Sequence, residues 1–94
     1  MATIEEYRTL ILPILHKYFI KRAAIFGSLA KWNMTADSDV DLLIETQTGF
    51  TLFNLLSLEQ EISDLLNRKV DLVEYGALKA SIKNEVLQTA ISIL

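Results

Sequence analysis

A small α/β (α+β) fold, a short mixed three-stranded sheet packed by about four helices, is predicted by three features of this sequence. Three short apolar runs, Lys21 to Phe26, Asp39 to Glu45 and Lys69 to Glu74, have the length and composition of strands. Stretches of helical periodicity stand before, between and after them. Turn and capping residues punctuate each boundary. At 94 residues the chain holds one domain, 1–94, since a second core will not fit.

The first helix is expected over Thr3 to Phe19. Ile4, Tyr7, Ile11, Ile14, Leu15 and Tyr18 follow helical spacing, and Thr3 with Glu6 resembles a capping box. Pro13 removes the backbone bond to residue 9, so a kink or a new first turn is expected there. His16, the one histidine, reads as a polar residue facing solvent near the helix end. Gly27-Ser28 terminates the first strand, a short helix from Leu29 to about Trp32 follows, and Asn33 to Asp37 is a polar loop. After the second strand, Thr46 to Gly49 is turn-like, with glycine available for a positive φ.

Thr51 to Asn67 is the longest helical signal, with Leu55, Leu58, Ile62, Leu65 and Leu66 in one stripe. Ser57 with Gln60 offers an alternative, later start. Gly76 breaks the third strand, and a last helix runs from Leu78 to Ala90 before the apolar tail Ile91-Ser92-Ile93-Leu94. Helices separate the strands, so parallel pairs are allowed, and strand order stays open.

Composition narrows the function. The net charge is −3 with both signs interspersed, and no lysine or arginine cluster suits duplex nucleic acid. Absence of cysteine excludes disulfides, thiolate metal sites and cysteine nucleophiles. The apolar stretch from Leu10 to Leu15 is too short and charge-flanked for a membrane span, so the cytoplasm is expected. Hydrophobic residues make up 51% of the chain, rich for a small domain. That excess suits an apolar patch covered by a partner or a second copy, or simply a dense core.

The chemistry lies in the second and third apolar runs. Strand alternation puts Asp39 and Asp41 on one face and Val40, Leu42 and Ile44 on the other. Two such carboxylates can share hard divalent cations, and Mg2+ suits them because it fills its other positions with water and phosphate oxygens. Asp71 stands inside Val70-Asp71-Leu72-Val73, where a lone buried carboxylate is costly. If its strand neighbours the second, Asp71 joins as third ligand or as base. Three carboxylates around two Mg2+ ions form a clamp for phosphoryl or nucleotidyl transfer. Gly27 lets the backbone approach a phosphate, and Ser28 adds a donor beside a helix N-terminus.

Gly27, Ser28, Ala30, Ser38, Asp39, Asp41 and Leu42, with ten residues between Ser28 and Asp39, resemble the motif of the DNA polymerase beta-like nucleotidyltransferases. Lys69-Val70-Asp71-Leu72-Val73 is similar to that family's strand bearing a third carboxylate. Two positions depart: Lys31 replaces the usual arginine, losing its planar fork, and Trp32 replaces a glycine. The resemblance covers essentially the whole chain and extends to the minimal nucleotidyltransferase antitoxins of HEPN toxin–antitoxin modules.

It implies the small nucleotidyltransferase fold and AMP transfer from ATP to a hydroxyl, here a tyrosine of a HEPN-domain toxin. By resemblance, Asp39, Asp41 and Asp71 are catalytic and hold two Mg2+ ions, while Gly27, Ser28, Lys31 and Ser38 bind the nucleotide. The acceptor surface would come from the partner, in a homo- or hetero-oligomer. Two other readings stand beside it: a non-catalytic antitoxin acting by contact alone, and a regulatory domain that binds Mg-ATP without turnover.

Overall fold

Val40, Leu42 and Ile44 alternate along the second strand and join one buried cluster, which makes their face the floor of the core, while Leu43 on the other face is buried outside that cluster. A computed structural model describes residues 3–27 and 39–94, and the elements below are those of the described residues. They are α1 (Ile4–Lys17), β1 (Arg22–Phe26), β2 (Val40–Glu45), α2 (Leu52–Leu66), β3 (Val70–Glu74), a 3-10 turn (Tyr75–Ala77), α3 (Ala80–Thr89) and β4 (Ile91–Ser92).

The sheet order is β3-β2-β1-β4. β2 and β3 run parallel, while β1 is antiparallel to both β2 and β4. The sheet is therefore mixed, as expected, but it has four strands rather than three. The fourth comes from the apolar tail. Ile91 and Ser92 pair with Ile25 and Ala24, and Ile93 beyond them is buried in the core. Two residues are too few to display a strand period, so the tail's composition shows only that it is apolar.

Tyr7, Ile11 and Leu15 of α1 and Leu58 and Ile62 of α2 meet Ala23, Ile25, Val40, Leu42, Ile44 and Val70 in one cluster. Both helices thus cover the same face of the sheet. Thr3 caps α1 by accepting from the Glu6 N–H at 3.1 Å, and Glu5 and Glu6 complement the positive end of the helix. Pro13 neither ends α1 nor shifts its stripe. Tyr7, Ile11 and Leu15 stay four residues apart across it, and Pro13 itself faces solvent, where water can serve the freed Thr9 carbonyl. Phe19 closes the helix in a left-handed conformation (φ 56°) and is 72% exposed, an unusual place for an aromatic residue.

The start of α2 falls at Thr51, not Ser57. Asn54 N–H donates to Thr51 Oγ1 at 3.2 Å, and Thr51 N–H donates to Asn54 Oδ1 at 2.9 Å. Asn67, at φ 53°, ends the helix in the left-handed region. Coming between β2 and β3 in the chain, α2 is the crossover that makes their parallel pairing possible. The last helix begins at Ala80 rather than Leu78, because the chain leaving β3 first spends Tyr75–Ala77 on a 3-10 turn. The expected helix at Leu29 to Trp32 lies outside the described residues. No described helix is long and apolar enough to cross a membrane.

Burial separates two apolar residues cleanly. Ile93 is 2% exposed and Phe53 is 81% exposed. Ile93→Ala should cost about 2–5 kcal/mol in urea unfolding, whereas Phe53→Ala should stay within about 0.5 kcal/mol of the parent.

Candidate active site

The face of β2 turned away from α1 and α2 carries Asp41, with Asp39 one step before the strand. Alternation puts them there: Val40 and Leu42 must enter the core, so their neighbours point the other way. β3 is held beside β2 with Val40 opposite Val70, Asp41 opposite Asp71 and Leu42 opposite Leu72. Strands pair at about 4.8 Å, so Asp41 and Asp71 are direct neighbours on one face. The backbone joins one residue earlier too, with Val40 N–H donating to the Lys69 carbonyl at 2.9 Å.

Across the other edge of β2, Phe26 of β1 lies opposite Asp41, and Gly27 follows as the chain leaves the sheet. Two constraints favour glycine at that point. Its φ is +74°, and a Cβ built there would overlap the Asp41 carboxylate oxygen. Gly27 thus gives Asp41 its room. Ser28, Lys31 and Ser38, expected to bind nucleotide, lie outside the described residues, as does Trp32.

Burial raises the Asp41 carboxyl above the usual carboxylate range, and the negative charges of Asp71 and Asp39 raise it further. Lys69 opposes this. Its ammonium lies 3.8 Å from Asp39 Oδ2, with both side chains partly exposed. No family motif marks Lys69. The signal was present in Lys69-Val70-Asp71, since alternation puts Lys69 and Asp71 on one strand face. His16 stands exposed in the last turn of α1, on the helix layer opposite the carboxylates.

Among the described residues, no three acidic or histidine side chains converge into a ready metal cage. The donor chemistry nevertheless fits a hard divalent cation. All three groups offer carboxylate oxygens, they share a face, and their mutual repulsion is what a bound cation would relieve. A concavity of about 440 Å3 lies at the far end of β2, lined by Tyr18, Phe19, Phe50 and Asn54 among others. No carboxylate of the patch lines it.

Residues 10–94 match the family model "Polymerase beta, Nucleotidyltransferase". Over 91 residues the chain is 36% identical to MJ0435 of Methanocaldococcus jannaschii, whose name assigns it provisionally to the protein adenylyltransferases. The match spans 97% of this chain and 98% of that one. A solved structure assigned provisionally as a minimal nucleotidyltransferase superposes with a TM-score of 0.82 at 31% identity, covering 94% of this chain and 90% of that chain. A tri-AMPylated HEPN toxin of Shewanella oneidensis in complex with its MNT antitoxin gives a TM-score of 0.74 at 16% identity, with 96% and 71% of the two chains covered. That last likeness is one of fold.

The raised Asp41 carboxyl has a measurable consequence. Its folded-state pKa lies above the unfolded value, so ionised Asp41 opposes folding at neutral pH, and the penalty fades as pH falls through the folded pKa toward the unfolded one. In metal-free buffer, Asp41→Asn should therefore melt higher than the parent at about pH 7. The two melting temperatures should converge below about pH 4, where both states of the parent are protonated.

Proposed function

This chain belongs to the polymerase beta nucleotidyltransferase family, and we propose that it is a Mg2+-dependent adenylyltransferase that moves AMP from ATP to a tyrosine hydroxyl of a HEPN-domain toxin, so acting as the antitoxin. The observation that carries this reading is the register of β2 and β3, which sets Asp71 beside Asp41 on the face that Asp39 shares. The AMPylated toxin bound to an MNT antitoxin supports the acceptor class. The work is done in the cytoplasm, where ATP is at hand.

Asp39 and Asp41 would hold two Mg2+ ions, with Asp71 as third ligand or as base. Such ions supply charge neutralisation on the triphosphate and stabilise the attacking and leaving oxygens. The chain's own residues do the rest. Gly27 leaves space beside Asp41, where the backbone can come close to phosphate. Ser28, Lys31 and Ser38 hold the nucleotide by resemblance to the family motif. The acceptor oxygen bonds to the α-phosphorus, the bond to the β-phosphate oxygen breaks, and pyrophosphate leaves. As base, Asp71 takes the hydroxyl proton; the raised Asp41 carboxyl beside it is the one that most needs a cation.

The acceptor is supplied by the partner. Leu52, Phe53 and Leu56 expose apolar surface on α2, which suits cover by another chain. The same surface favours a second reading, an antitoxin that works by contact without transferring AMP.

One experiment separates the two. The chain is incubated with its helical partner, Mg2+ and α-labelled ATP, beside an Asp39→Asn, Asp41→Asn double variant. Label on the partner should fall by more than about 100-fold in the variant. Undiminished label would refute the catalytic role of the pair, and full neutralisation of the partner without any label would favour contact alone.

A further inference from the structure

The register that aligns Asp41 with Asp71 also aligns the residues one step earlier. Val40 faces Val70, and the Val40 N–H bonds to the Lys69 carbonyl, so Lys69 stands across from Asp39. By alternation Asp39 and Asp41 share a face on one strand, and Lys69 and Asp71 share the same face on the next. The patch thus has four corners, three carboxylates and one ammonium. The ammonium approaches Asp39 Oδ2 at 3.8 Å, the outer limit of an ion pair, and Lys69 is 70% exposed. An exposed pair at that distance is weak and easily exchanged. Its backbone, by contrast, is anchored to β2.

We propose that Lys69 is a nucleotide-binding residue of this site, which neutralises Asp39 in the free protein and turns to the triphosphate when a divalent cation takes its place. The proposal rests on the reading of Asp39 and Asp41 as metal ligands. Its logic is charge balance on a short tether. A cation arriving at Asp39 repels the ammonium, while the triphosphate brought by that cation attracts it. A four-carbon stem from a fixed Cα lets the ammonium move between the two without any change in the sheet. Lys69 therefore competes with the metal and cooperates with the nucleotide, and these two effects have opposite signs.

The test uses the whole chain and two binding titrations. Mn2+ alone is titrated into the parent, Lys69→Gln, Lys69→Arg and the Asp39→Asn, Asp41→Asn double variant. A non-hydrolysable ATP analogue is then titrated at saturating Mg2+. Lys69→Gln should bind Mn2+ about two- to fivefold more tightly. It should bind the ATP analogue about tenfold or more weakly, and Lys69→Arg should recover most of that loss.

Unchanged nucleotide affinity in Lys69→Gln would overturn the role, leaving Lys69 an ordinary surface partner of Asp39. Weaker Mn2+ binding would also overturn it, because Lys69 would then be supporting the metal ligands rather than competing for them. If the double variant binds Mn2+ like the parent, the carboxylate reading itself fails and Lys69 falls with it. Lost Mn2+ binding in the double variant identifies any failure as belonging to Lys69 alone.

Discussion

The parallel, in-register pairing of β2 and β3 is the constraint on which this molecule depends. It buries Val40, Leu42 and Val70 beneath α1 and α2 and, by the same alternation, presents Asp41 and Asp71 together on the opposite face. Core and site are two sides of one pairing. A slip of one residue would turn Asp71 toward the core and Val70 and Leu72 away from it. Such a slip is costly twice over, in lost apolar burial and in an unpaired buried carboxylate. The α2 crossover helps to hold the register, since its buried Leu58 and Ile62 pack it onto the core face of the two strands it joins.

That pairing has an electrostatic cost. Three like charges share a small surface, and the partly buried Asp41 bears the strain. Gly27 adds to the specialisation, because its positive φ strains a residue with a side chain and a Cβ there would displace the Asp41 carboxylate. A sequence selected only for stability would replace the carboxylates by polar neutral groups and the glycine by alanine in a relaxed turn. Their retention together at one end of the sheet is an arrangement suited to a charge-bearing ligand. Lys69 moderates the repulsion without abolishing it, being loosely held and largely in water.

Much of this was legible in the sequence because it follows short periods. Period two along β2 separates Asp39 and Asp41 from Val40, Leu42 and Ile44, and the helical stripe of α2 holds at Leu55, Leu58, Ile62 and Leu66, whereas Leu65, expected in it, is exposed. What stayed hidden is long-range or brief. No local pattern tells that β3 lies beside β2 in parallel, or that the tail crosses to β1 as a fourth strand. The Asn54 side chain completes the cap at Thr51, although asparagine is a less familiar partner there than glutamate or glutamine. Pro13 starts no new helix, and the buried stripe Tyr7, Ile11 and Leu15 runs on across it. Lys69 was legible by alternation alone, but its meaning depends on what stands across from it.

The most direct test of the account is where a divalent cation binds. Substoichiometric Mn2+ broadens the NMR signals of amides near it, and the assigned spectrum of the whole chain reports every candidate carboxylate at once. Broadening should strike Val40 to Leu42 and Asp71 to Leu72 together, before any other segment. Broadening centred instead on scattered acidic residues such as Glu5, Glu59 or Glu74, with β2 and the start of β3 untouched, would contradict it.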